Sequence, residues 1–232
     1  MKAIKKIWDS DFFGVQVGQI ELLGDGATGE LLELEQGEFE CIYVYSETRD
    51  HLSEFQLAGY CSEGIYELLT FEKILNEDGI THSACEYLSQ DDQPLRELSR
   101  LAGHSSRFKQ DPCFCGRYGE LYDAWIQNSV RGDLADKVMV SSNGANYIGL
   151  ATIKFHKDYS QIGLLAVDSS SRGKGIAADL LQAVESCSLG AGLGRIRVAT
   201  QGDNLGAVNC YLKNGYSLFE RRYVSHFWRV KA

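Results

Sequence analysis

Apolar and polar positions along the 232-residue chain switch between a two-residue and a 3.6-residue repeat, and the switches mark its elements. Residues 41–45 (Cys-Ile-Tyr-Val-Tyr) have the aromatic and β-branched content of a strand. Thr48 to Leu57 then reads as a short helix, with Leu52, Phe55 and Gln56 near one face and Gly59-Tyr60 ending it. A second strand is expected over 64–71. The turn residues of Asn76 to His82 mark a linker, so a first unit spans about 1–80 and a second 81–232. Pro94 lies in the first turn of a helix running to about Gly103, on which Leu95, Leu98, Leu101 and Ala102 share a face. Residues 106–112 form a polar loop. Gly119 to Arg131 restores the helical period through Leu121, Tyr122, Trp125 and Ile126, and Gly132 is placed to stop it. Strands at about 137–141 and 146–155 are joined by Asn143-Gly144, expected as a type I′ turn.

Ile162 to Val167 is a short apolar run with the length of a buried strand. The polar stretch Asp168 to Gly175 leads into a helix whose Ile176, Ala177, Leu180, Leu181 and Val184 form one apolar stripe. Gly190 to Gly194 ends it, and 195–200 is the next strand. A last helix from Leu205 to Lys213 has Asn204 as N-cap and Gly215 as its left-handed stop, with strand from Tyr216 onward. The order strand, loop, helix, strand, helix, strand predicts an α/β fold.

With 44% hydrophobic residues the chain can bury a sizeable core, which excludes disordered and fibrous classes. No segment reaches the ~18 apolar residues of a membrane span, and the first residues lack a signal-peptide core, so a soluble cytoplasmic protein is expected. The seven cysteines contain no Cys-x-x-Cys pair; Cys113 and Cys115 read as small loop residues, and no metal site is expected. The net charge of −9 is uneven: residues 151–232 carry 11 Lys/Arg against 6 Asp/Glu, so the last third is +5 and the rest −14. That asymmetry disfavours nucleic acid as a partner and suits a small anionic ligand, or simply solvated basic faces.

Two stretches carry candidate chemistry. Arg172-Gly-Lys-Gly-Ile-Ala177 puts two glycines where a strand turns into a helix, so free backbone N–H groups, a helix start and two cations can meet a pyrophosphate. The same pattern also makes a tight turn with no ligand. Asn204, Ala207 and Tyr211 fall near one helical face, with Ala207 leaving room and Tyr211 protonated at neutral pH given an ordinary pKa of ~10. Alone, Tyr211 reads equally as a core residue.

Leu164-Leu-Ala-Val-Asp168, Arg172-x-x-Gly175-x-Ala177 and Asn204-x-x-Ala207-x-x-x-Tyr211-x-x-x-Gly215-Tyr216 resemble the acetyl-CoA motifs of the GNAT N-acetyltransferase superfamily. The resemblance covers about 88–232 and implies a mixed central sheet flanked by helices, with acetyl-CoA as cosubstrate. It implies that Arg172, Gly173, Lys174, Gly175, Ile176 and Ala177 hold the CoA pyrophosphate, and that Leu165, Ala166 and Val167 pair with the pantetheine arm. Asn204 and Ala207 would contact the cofactor, and Tyr211 would protonate the departing thiolate. A narrower resemblance runs through Trp8 to Gly14, Ser106-Arg-Phe108, Tyr122 to Gly132, Gly163-Leu-Leu165 and Arg197 to Gln201. These resemble the TDP-fucosamine acetyltransferase family, which N-acetylates a dTDP-linked 4-amino-4,6-dideoxyhexose. Trp8, Phe12 and Phe13 read equally as an N-terminal strand packed on the core.

By that resemblance the partner is a small nucleotide sugar rather than nucleic acid or membrane, with a homodimer left open. Direct attack of a neutral amine on the thioester requires no Cys or Ser nucleophile. Glu63 is the expected general base, by the family's acidic residue at this point, with Glu67 as its one-residue-shifted alternative. Arg107 and Lys109 with Phe108 offer charge pairing for a diphosphate and stacking for a base, with Trp125 and Phe13 as further acceptor-binding side chains. A surface loop is the alternative there. Leu57-Ala-Gly-Tyr60 echoes Leu212-Lys-Asn-Gly-Tyr216, so the N-terminal unit is expected to be a truncated relative of the C-terminal fold with the acceptor bound between them. Another small amine, a peptide N-terminus, or a non-catalytic acetyl-CoA-binding module are the alternatives.

Overall fold

A computed structural model describes residues 2–22, 31–32, 39–76 and 81–230. The strands are β1 (Ile4–Lys5), β2 (Val17–Leu22), β3 (Leu31–Leu32), β4 (Cys41–Ser46), β5 (Gln56–Leu57), β6 (Tyr60–Ile74), β7 (Cys85–Glu86), β8 (Lys137–Ser142), β9 (Tyr147–Phe155), β10 (Ser160–Val167), β11 (Arg195–Gln201) and β12 (Ser217–Arg229). The helices are α1 (Ile7–Phe13), α2 (Arg49–Glu54), α3 (Arg96–Ala102), α4 (Arg107–Gln110), α5 (Tyr118–Val130), α6 (Ile176–Gly190) and α7 (Leu205–Lys213). Ten strands form one mixed sheet in the order β1-β2-β4-β12-β6-β11-β10-β9-β8-β7.

The two-residue repeat of the strands sorts side chains onto two faces and so builds two cores. Val138 and Val140 of β8 and Tyr66 of β6 join a core with residues of α3 and α5, whereas Met139, Leu69 and Phe71 join Leu180, Leu181 and Val184 of α6 on the other face. A third cluster around Ile42, Val44 and Leu52 lies under α2.

Residues of the two expected units share this sheet. Thr70 of β6 pairs antiparallel with Ala199 of β11 on one side and with Glu220 of β12 on the other. The first unit's long strand is therefore central to the second unit's sheet. The expected linker lies partly outside the described residues.

Three local expectations are corrected. Trp8, Phe12 and Phe13 lie on a helix, α1, closed by Gly14 at φ 72°, and residues 107–110 of the expected loop form α4. Among the described residues no non-glycine residue has positive φ, so Asn143-Gly144 is not a type I′ turn; the hairpin closes instead through Asn143 N–H donating to Asn146 O at 3.1 Å.

The feature that makes a site is a splay. β10 and β11 run parallel and pair only from Ser160–Ile162 to Ile196–Val198. Beyond that, β10 stays with β9 through Leu165, Ala166 and Val167, while β11 stays with β6 to Gln201. The register slips between Ile162 and Leu165, where Thr152 Oγ1 accepts the Leu164 N–H at 2.9 Å. The two strands thus diverge, and the main-chain groups of 165–167 that face away from β9 border an open cleft.

Candidate active site

On one side of the splay, a groove of about 530 Å³ is lined by Leu165, Ala166, Val167, Arg172, Gly173, Gly175, Ile176 and Ala177, and by Asn204, Ala207 and Tyr211 from the next unit of structure. Asp168 opens the loop by accepting the Ser170 N–H at 2.9 Å. Gly173 and Gly175 have φ of 75° and 82°, a backbone region that side chains strain, and no heavy atom lies within 4 Å of where either would carry a Cβ. The glycines therefore serve the turn, and the space above them is open. Arg172 Nε donates to Val167 O at 3.3 Å and Lys174 Nζ to Ser170 O at 3.0 Å, so both cations are held by carbonyls, and among the described residues neither makes an ion pair, though the Asp168 carboxylate feels the Arg172 charge. Asp179, in the first turn of α6, accepts from Ser83 N at 2.7 Å and Ala84 N at 2.9 Å, which keeps its charge on the 83–84 segment. A helix start, two glycines and two cations suit a pyrophosphate.

On the other side lies a cavity of about 370 Å³, also lined by Leu165, Asn204, Ala207 and Tyr211. Its floor is two rows of register partners: Glu220, Thr70 and Ala199, then Arg222, Leu68 and Gln201. Arg107 and Phe108 of α4, Trp125 of α5, and Tyr45 and Gln161 complete it. Tyr211 joins the two spaces. Only 4% exposed, it packs on Phe71 at 5.7 Å and Tyr216 at 5.9 Å between ring centroids, and its hydroxyl has no protein partner. Burial, with Cys210 adding to it, pushes the phenol above its ordinary range, so it stays protonated and able to donate.

The structure thus brings Arg107, Phe108, Trp125 and Tyr211 together, and leaves four expected residues elsewhere. Glu63 is exposed and borders a separate cavity with Cys61, Cys113 and Arg117, because β6 carries it beyond the cleft. Phe13 borders that same cavity, wedged against Phe114 at 4.1 Å and Phe108 at 5.6 Å. Glu67, one residue out of step with Leu68, points to the opposite face, where Arg221 pairs with it at 3.1 Å. Lys109 reaches back to His104 Nδ1 at 2.7 Å. Asn204 lines both spaces with its amide already used: Oδ1 accepts the Ala207 N–H at 3.2 Å as the α7 cap, and Nδ2 donates to Thr200 Oγ1 at 3.2 Å.

What the sequence reading did not find is the acidic and buried polar part. Among the cavity-lining residues the carboxylate is that of Glu220, which makes no ion pair among the described residues. Beneath Arg107, Nε donates to His226 Nε2 at 3.2 Å and His226 Nδ1 meets Asp111 Oδ2 at 2.6 Å. The available signal was the alternation of Glu220, Arg222, Val224 and His226 on one face of β12.

Residues 96–216 match the model of the acetyltransferase (GNAT) family, which spans more than half of the chain. The chain belongs to the GNAT acetyltransferase family. As a GNAT protein it is an N-acetyltransferase, and the family's acetyl donor is acetyl-CoA. It is 25% identical over 222 residues to the dTDP-fucosamine acetyltransferase of Escherichia coli O6:H1, covering 93% of each chain. It is 24% identical over 249 residues to the spore coat polysaccharide biosynthesis protein SpsD of Bacillus subtilis, covering 97% of this GNAT chain and 82% of that relative. The crystal structure of a GNAT-family protein from Novosphingobium aromaticivorans superposes with a TM-score of 0.56 at 11% identity, over 84% of this chain and 77% of that one, a likeness in fold alone. Among the described residues no helix is long and apolar enough to cross a membrane, and no group of three or more His, Cys, Asp or Glu is placed to hold a metal.

Proposed function

We propose that this GNAT enzyme transfers the acetyl group of acetyl-CoA to the amine of a nucleotide-linked 4-amino-4,6-dideoxyhexose. The observation that carries the reading is the pair of spaces meeting at Tyr211, one suited to a pyrophosphate and the other offering both a carboxylate and guanidinium groups. An amino sugar joined to a nucleoside diphosphate has the matching charges, a cationic amine at one end and a diphosphate at the other. The two curated relatives, named for dTDP-fucosamine acetylation and for polysaccharide biosynthesis, support it over nearly the whole chain.

Loop 172–177 and the start of α6 would hold the CoA pyrophosphate, and the free edge of Leu165, Ala166 and Val167 would take the pantetheine amides, leading the thioester through the splay to Tyr211. The amine's nitrogen then bonds to the thioester carbon as the C–S bond breaks. Tyr211 gives its proton to the leaving sulfur, whose ordinary pKa as a thiol is ~8.5, and the proton lost by the amine goes to Glu220, directly or through water. Trp125, Phe108 and the Arg107 guanidinium would position the acceptor.

Replacing Gly175 with Asp should weaken CoA by about tenfold or more, because the backbone at φ 82° resists a side chain and the added charge opposes the diphosphate. Unchanged CoA affinity of the folded variant in calorimetry would remove the loop from the cofactor site. The acceptor is tested by comparing a dTDP-linked amino sugar with the same free amino sugar. Binding energy gained on the nucleotide should raise kcat/KM by about a hundredfold or more. Equal values for the two would replace this acceptor with a generic small amine.

A further inference from the structure

Arg107 differs from Arg222, the other cation lining the acceptor cavity, in how it is held. Arg222 is neutralised by Glu21 and lies over the Tyr45 ring at 5.2 Å. Among the described residues Arg107 has no carboxylate within ion-pair reach. Its guanidinium rests 4.3 Å above the Phe108 ring and 5.6 Å from that of Tyr43, Nη2 donates to Tyr45 Oη at 3.3 Å, and Nε donates to His226 Nε2. Every one of those partners is neutral or aromatic. They fix the plane of the guanidinium while leaving its charge uncompensated toward the cavity.

His226 can accept from Arg107 only if the proton of its ring sits on Nδ1, and the structure supplies the reason it does. Asp111 Oδ2 lies 2.6 Å from Nδ1 and also accepts the Trp228 Nε1–H at 3.0 Å, while Oδ1 accepts the Cys113 N–H at 2.8 Å. Both Asp111 and His226 are 0% exposed. Burial alone would raise the carboxyl's pKa, but these three donors outweigh it and hold Asp111 ionised. An ionised, fully buried carboxylate orients the imidazole, and the imidazole in turn presents a lone pair to Arg107.

We propose that Asp111 and His226 are positioning residues that hold Arg107 as a preset anion anchor for the acceptor's diphosphate, so that the cavity selects nucleotide-linked over free amines. The inference rests on the reading of this cavity as the acceptor site. A flexible guanidinium on an exposed loop would lose side-chain freedom on meeting a phosphate, whereas one already clamped at Nε, at one N–H of Nη2 and across its faces loses little and keeps Nη1 and the other Nη2 N–H for the ligand. Specificity for the diphosphate then depends on two buried residues that never touch it.

The probe is dTDP, which carries the diphosphate but no amine, titrated calorimetrically with CoA as the control for a folded cofactor site. Wild type should bind dTDP, and Arg107→Ala should weaken it by about tenfold or more with CoA unchanged. His226→Asn can still meet Asp111 but falls short of Arg107, so it should lose about as much dTDP affinity as Arg107→Ala, and the double variant should lose no more than either. His226→Gln, whose carbonyl oxygen reaches the place of Nε2, should recover most of it. Arg107→Lys, at a half-buried site, keeps the charge without the clamp and should behave nearly as Arg107→Ala. Wild-type dTDP affinity in His226→Asn, or in Arg107→Lys should the former fail to fold, would overturn the positioning role while leaving the acceptor site intact. No dTDP binding by wild type, or none of it lost in Arg107→Ala, would instead overturn the acceptor reading itself.

Discussion

Tyr211→Phe should lower kcat by ~10²–10⁴ while leaving the KM for acetyl-CoA nearly unchanged. The substitution keeps the ring, and with it the contacts to Phe71 and Tyr216 that seat α7 against the sheet. What it deletes is a hydroxyl that has no protein partner and opens onto both spaces. Because burial raises the phenol's pKa, wild type should hold its activity on the alkaline side well past the ordinary thiol range, with no loss traceable to Tyr211 ionising at neutral pH. Glu220→Gln separates the other proton. An amine of ordinary pKa ~8 is partly neutral at pH 7 without help, so this variant should lose only about tenfold, and less as the pH rises and the amine deprotonates itself. Steady-state kinetics across pH 6–9 check both, and a full-rate Tyr211→Phe enzyme would return Tyr211 to packing alone.

The parts of this site legible in the sequence are the ones encoded by neighbours along the chain. Gly175 and Gly215 announce left-handed backbone at φ 82° and 84°, Asn204 caps α7, and the apolar stripe of α6 follows from its own spacing. The cofactor groove is assembled almost wholly from one strand, one loop and two helices that follow in order, so local rules reach it. The acceptor side is different in kind. Its floor joins residue 70 to residues 199 and 220, a pairing across the whole chain that no local period reports.

That same long reach explains the misplaced residues. The resemblance points to Glu63 or Glu67 only through the order of residues along the chain, but the twist and alternation of a 15-residue strand decide which side chains enter the cleft, and Leu68 and Thr70 are the ones that do. The Arg107–His226–Asp111 chain was hidden for a related reason: His226 lies 119 residues from Arg107 and 115 from Asp111. The strand alternative for Trp8, Phe12 and Phe13 fails, and the sequence alone leaves it open because α1 is only 7 residues long, too short for its helical repeat to be told from a strand.

Acidification should cost this fold stability earlier than carboxylate protonation alone would. Burial lowers the pKa of His226 from 6.5 to about 4, Arg107 pushing it the same way and Asp111 opposing. Above pH 6.5 the imidazole is neutral both folded and unfolded, so it contributes no pH dependence there. As the pH falls from 6.5 toward 4, the unfolded chain takes up a proton that the folded chain refuses, and stability drops. The full loss, reached below about pH 4, is about 3 kcal/mol for a gap of this size. Asp111 adds to it at lower pH, because its carboxyl is held below the ordinary value of 3.8 and the stability its donors confer is lost only as it is protonated. Denaturant unfolding at pH 7, 5.5 and 4.5 should therefore show a slope in wild type that His226→Gln, with no group to protonate, largely lacks. Loss of dTDP binding by the folded protein should come later, as the pH falls through about 4, since only then does His226 become an imidazolium, which has no lone pair for Arg107 and repels it. If His226→Gln lost stability with acid as steeply as wild type, the buried imidazole would not be the neutral link between Asp111 and Arg107.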